Sequence, residues 1–135
     1  MTGGVPPVTP SATYRAVWQA LRRRQQIIFV YHGKPRAVCP IVLGYAADGR
    51  ETLSAYQVGG ESSGARALPG WRCFRLAEIG DLRTSGGEWR EGQSHKQPQA
   101  CVRFVDADVN IPETLTRPQP LPFGSPALRP PRRGR

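Results

Sequence analysis

The run Trp71-Arg72-Cys73-Phe74-Arg75-Leu76 gathers a large aromatic, two guanidiniums and a thiol within six residues. Read as a strand, it alternates, with Phe74 and Leu76 on one face and Trp71, Cys73 and Arg75 on the other. The first face belongs in a core. The second offers an indole for stacking on a base and a guanidinium for gripping a phosphate. Arg72 falls on the core side but near the strand's start, where it can reach out at a barrel mouth. Arg36, Tyr31 and Tyr56 complete the candidate contact set. Against this stand packing roles for Trp71 under a leading helix and for the tyrosines in the core, and pairing of Arg75 with Glu78 or Glu51.

Other chemistry lacks its parts. Three widely spaced cysteines (Cys39, Cys73, Cys101) and two histidines (His32, His95) contain no Cys-x-x-Cys pair, so no zinc site is expected. Gly59-Gly60-Glu61-Ser62-Ser63-Gly64 lacks the Gly-Lys-Ser/Thr ending of a phosphate loop and does not open a helix. Asp106-x-Asp108 is a two-carboxylate match of little specificity. There is no nucleophile elbow, and no carboxylate pair lies in a segment expected to form a cleft. The expectation is a binding protein rather than an enzyme, with no cofactor and no catalytic residue.

The elements that must carry these residues follow from periodicity. Tyr14, Val17, Trp18 and Leu21 form one apolar helical stripe, capped by Thr9 or Ser11 and closed by Arg22-Arg23-Arg24. From Ile27 the period becomes two. Ile27–Tyr31 ends at the turn His32-Gly33, and Arg36–Ala46 is a second strand with an edge or bulge at Pro40. Asp48-Gly49 turns into a third strand, Glu51–Val58. A Gly/Ser-rich loop leads to Gly70–Leu76, and Ile79–Thr84 is a short fifth strand.

Composition sets the boundaries. The net charge of +9 favours polyanionic partners in general, but five of the basic residues (Arg117, Arg129, Arg132, Arg133 and Arg135) lie beyond Thr116. Residues 116–135 hold six prolines and no acid, so a disordered tail is expected there, as it is for residues 1–10. Residues 11–85 form the expected domain: mainly β, a small five-stranded SH3/Sm-like barrel preceded by one α-helix. Residues 86–115 read as a poorly defined extension with a possible strand at 100–105. No signal peptide or spanning segment is visible, which gives a cytoplasmic reading with reduced thiols and no membrane partner.

The segments Arg36-Ala37-Val38-Cys39-Pro40 and Trp71-Arg72-Cys73-Phe74-Arg75-Leu76, in order with Leu53-Ser54-Ala55-Tyr56 and Ile79, resemble the WYL-domain family over about Thr13 to Arg83. Of the family's naming triplet only Leu53 stands, after Glu51-Thr52, and Glu78 occupies a place where arginine is common. The resemblance implies an Sm-like barrel and a small standalone member, because the residues before the barrel are too few for a winged helix. It also implies a bacterial ligand-sensing module in transcriptional or stress regulation, binding a nucleotide or single-stranded nucleic acid through a basic face. The alternative is a protein–protein interaction module, docking on a protein partner or on a second copy, with the Pro/Arg tail adding contacts.

Overall fold

The computed structural model describes residues 8–61, 68–90 and 101–129. One helix, α1 (Ala12–Arg22), precedes strands β1 (Ile27–Tyr31), β2 (Lys34–Tyr45), β3 (Glu51–Gly60), β4 (Gly70–Arg75), β5 (Ile79–Thr84) and β6 (Phe104–Asp108). Short 3-10 turns at Leu76–Glu78 and Pro112–Leu115 follow β4 and β6. Ser11 caps α1, its hydroxyl accepting the Tyr14 N–H at 3.1 Å. Glu51 holds that cap from β3, taking the Ser11 N–H at 2.8 Å. The helix buries Tyr14, Val17, Trp18, Ala20 and Leu21, the stripe that its spacing requires.

All six strands join one antiparallel sheet in the order β4-β3-β2-β1-β5, with β6 pairing on β2. β2 is long enough to pair β1 through residues 34–38 and β6 through residues 42–45. The register slips between Pro40 and Val42, as expected for a residue without an N–H in an interior strand. Gly44 admits β6 at close range, since a Cβ there would lie 2.0 Å from the Phe104 carbonyl oxygen. The sheet curls strongly. β4 and β1 are three places apart, about 14 Å if flat, yet the Phe74 and Phe29 rings meet edge to face at 5.0 Å.

Three expectations need correction. The first is the strand count: the sheet has six strands, the sixth being Phe104–Asp108 rather than 100–105, and no ladder joins β4 to β5 among the described residues. The second is the segment after Thr116. Residues 116–129 are seated on the sheet, with Arg129 bridging Val105 and Phe123 bridging Val8. Proline content argued against self-contained structure, but the partners come from β2, β6 and Val8. The third is the thiols. Cys73 and Cys101 form a disulfide, 28 residues apart in sequence, and Cys39 is the free, buried cysteine. Cys73 faces away from Phe74 and is exposed, which is why it is not one more small core residue. Residues 1–7 and 130–135 lie outside the described residues. No helix among the described residues is long and apolar enough to cross a membrane.

Candidate functional site

Strand alternation holds in β4: Arg72 and Phe74 are buried, Cys73 and Arg75 exposed, and Trp71 half-buried. The cross-strand partners of the outward set are Tyr56 for Trp71, Ser54 for Cys73 and Thr52 for Arg75. On β3 that outward face is not open. Tyr56 is 7%, Ser54 3% and Thr52 4% exposed. Glu88–Arg90 and Cys101–Val102 lie across it. The Arg90 N–H points at the Cys39 sulfur, 3.2 Å away, and the Arg90 guanidinium sits 5.9 Å over the Tyr56 ring. Val102 packs against Gly44, and Cys101 is bonded to Cys73. Burial pushes the Cys39 thiol up from its ordinary pKa, against the lowering effect of Arg90.

The proposed pairing of Trp71 with Arg75 is therefore divided. The two lie four residues apart, about 13 Å along the strand, with the Cys73–Cys101 bridge between them. Trp71 instead meets Tyr56 edge to face at 5.8 Å. A ligand touching both would have to pass over the cystine.

A second grouping centres on Tyr31. Its hydroxyl accepts the backbone N–H of Arg75 at 3.1 Å, and its ring meets Phe74 edge to face at 4.9 Å. The Arg36 guanidinium lies 5.4 Å over the Tyr31 ring and 5.7 Å over Phe74, and donates to the Tyr31 carbonyl at 3.2 Å. Arg36 is 4% exposed, and the aromatic floor accepts its flat face. His32 stacks on the same ring at 4.1 Å, where the left-handed His32-Gly33 pair turns β1 into β2. Arg72 is buried but turns aside, donating to the Trp71 carbonyl at 2.8 Å. Of the six residues singled out in the sequence, Tyr31 and Arg36 meet through their side chains, and Arg75 joins them through its backbone N–H. Trp71 and Tyr56 make a separate pair.

Glu78 is the carboxylate of this cluster. It is in close contact with His32, and that hydrogen bond is the main reason its pKa is lowered, with the charges of His32, Arg75 and Arg50 adding to it. Arg75 thus acts on Glu78 through its field, while Glu51 is engaged by the helix cap. The contact of His32 with Glu78 could not be read from the sequence because the pairing spans 46 residues. In His32→Ala, Glu78 is expected to titrate closer to the ordinary glutamate range, read by NMR. A lowered carboxylate stabilises the fold above its ordinary pKa and loses that contribution as pH falls through the native one. The pair is exposed, so its thermal effect should be small.

The larger polar hub lies elsewhere. Asp106 is fully buried, and its carboxylate accepts the Tyr14 hydroxyl at 2.7 Å and the Leu121 N–H at 3.2 Å. Arg117 reaches the same carboxylate at 3.4 Å and the Asp106 carbonyl at 2.6 Å. Burial raises the Asp106 pKa in spite of these partners, and burial together with the Asp106 charge pushes Tyr14 well up. Among the described residues, no group of three or more His, Cys, Asp or Glu is arranged to hold a metal ion.

No family model and no curated protein matches the chain. Among solved structures, proteasome accessory factor B/C of Arthrobacter aurescens is similar at a TM-score of 0.46 and 19% identity, over 67% of this chain and 15% of that chain.

Proposed function

We propose that this protein is a regulatory binding module, without catalytic activity, for a phosphate-bearing ligand: a nucleotide or the end of a single-stranded nucleic acid. The observation that carries this reading is the meeting of Arg36 and His32 on the Tyr31 ring, with the exposed Arg75 charge acting on Glu78 beside His32 at one end of the sheet. Arg75 supplies an exposed guanidinium for the phosphate, and Arg36 adds a fixed positive charge behind the Tyr31 ring. Glu78 holds the cluster in place until an anion competes for it. Trp71 is assigned to packing and to the edge of a longer ligand, since the cystine separates it from Arg75. The strong curl of the sheet and the Tyr31–Arg75 bond support closure as an SH3/Sm-like barrel. The reading agrees with the WYL resemblance carried by Arg36–Pro40 and Trp71–Leu76.

The test is fluorescence polarisation with a labelled, 5′-phosphorylated oligonucleotide at two salt concentrations. Arg75→Ala should weaken binding by about tenfold and make the salt dependence shallower by roughly one phosphate contact, at unchanged melting temperature. If Arg75→Ala binds as the parent does, the site is wrong.

A further inference from the structure

The chain's own C-terminal segment lies on its sheet in the manner of a bound peptide. Tyr45 and Asp106, 2% and 0% exposed, take the two backbone groups of Leu121 from opposite sides. The Tyr45 hydroxyl donates to the Leu121 carbonyl, and the Asp106 carboxylate accepts the Leu121 N–H. Both groups are held by the body of the fold. Tyr14 of α1 stacks on Tyr45 at 5.3 Å and donates to Asp106, joining α1, β2 and β6 beneath the segment. Two residues on, Phe123 sits between Tyr45 and Phe104, with ring centroids 5.5 and 5.6 Å away. The floor of that notch is Gly49, where a Cβ would stand 2.9 Å from the Phe123 ring.

The seated stretch differs from the seat. Pro118, Pro120 and Pro122 alternate through it and have no N–H to offer, so it cannot add to the sheet as a full strand. Its residues from Pro120 to Phe123 are half-buried, whereas Tyr14, Tyr45 and Asp106 beneath are buried. Its recognition uses the Leu121 backbone, the Phe123 ring, the bridge of Phe123 with Val8 and the contact of Arg117 with Asp106. Proline-rich segments, ordered at low entropic cost, are a recurring form of peptide ligand for aromatic-lined grooves.

We infer that the notch formed by Tyr45, Asp106, Phe104 and Gly49 is a binding site for proline-rich peptides of the type Pro-x-Pro-Leu-Pro-Phe, and that residues 117–124 occupy it in cis as a built-in competitor. The site is independent of the Tyr31 cluster. Its ligand is an extended peptide with a free N–H flanked by prolines and an aromatic two residues later. Affinity in trans is reduced by the fraction of time that the chain's own segment fills the notch.

The probe is a fluorescein-labelled peptide covering Thr116 to Ala127, titrated into the full-length chain. Phe123→Ala in the chain removes the cis anchor and should tighten probe binding at least tenfold over the parent. A probe with alanine in place of its own phenylalanine should not bind. A folded Phe123→Ala chain that binds the probe no better than the parent, or that binds both probes alike, overturns the inference. Amide exchange of the unmodified chain gives a second reading that needs no variant. Leu121 and Phe123 should exchange at least tenfold faster than Leu43 and Ala107 of the β2–β6 ladder, reporting local release of the segment. Equal exchange means that the segment opens only with the whole fold, and the inference fails.

Discussion

Asp106→Ala is expected to cost about 3 kcal/mol of folding stability, the range in which removal of one member of a buried charge pair leaves its partners uncompensated. The effect comes from what the carboxylate holds. Tyr14 donates to it from α1, Leu121 from the C-terminal segment, and Arg117 from the start of that segment. Without it, a buried hydroxyl and a backbone N–H lose their acceptor, and a guanidinium exposed by only 22% loses its counter-charge. Thermal melts should fall by roughly 10 °C for a chain of this size. A loss of under ~1 kcal/mol would mean that Tyr14 and Leu121 find other acceptors.

The same residue gives a pH dependence with a defined sign. Burial raises its pKa despite three donors, so the native chain holds this proton at pH values where the unfolded chain has released it. Stability therefore falls as pH rises from the ordinary aspartate value through the raised native one, and levels off above it. Glu78, lowered by His32, acts in the opposite sense, so the parent curve alone is not diagnostic. The difference between parent and Asp106→Asn isolates the Asp106 limb. Melting temperatures measured against pH should show the parent gaining stability on acidification relative to Asp106→Asn. A flat difference across that range would place the Asp106 pKa at its ordinary value.

How much of this was legible depends on the range over which each contact acts. The α1 stripe from Tyr14 to Leu21 and the strands from Ile27 to Thr84 were readable, because helical and strand periods are local. The hairpin at His32-Gly33 and the slip at Pro40 were readable for the same reason. The division of the contact face was not. Alternation correctly turned Trp71, Cys73 and Arg75 outward, but it says nothing of what covers an outward face. Cys101 and Val102 reach that face from a stretch that carries no periodicity of its own.

The tail was hidden differently. Its proline content describes what residues 116–135 can do alone, whereas Leu121 and Phe123 are held by Tyr45, Phe104 and Asp106. The Tyr31 cluster was half visible. Arg36 and Arg75 were named, but His32 and Glu78 needed the turn after β1 to meet the turn after β4.

Loss of the Cys73–Cys101 bond is expected to produce the second large effect, about 3.5 kcal/mol by the loop-entropy relation for a separation of this length. The bond closes the chain from edge strand β4, across β5, to the residues that enter β6. Unfolded, the oxidised chain is confined by that loop; reduced, it is not. In the native state the cystine also ties Cys101 to the outer face, beside Val102, which packs on Gly44. Cys73→Ser, Cys101→Ser and treatment of the parent with reductant should therefore lower stability by similar amounts. The double substitution should add little to either single one, since all remove the same constraint. Thiol titration supplies the independent check. The unfolded, unreduced parent should present one reactive thiol, that of Cys39, and the reduced chain three. Three reactive thiols without reductant, together with melting temperatures unmoved by reductant, would rule the bond out and return Cys73 to the role of an exposed free thiol between Trp71 and Arg75.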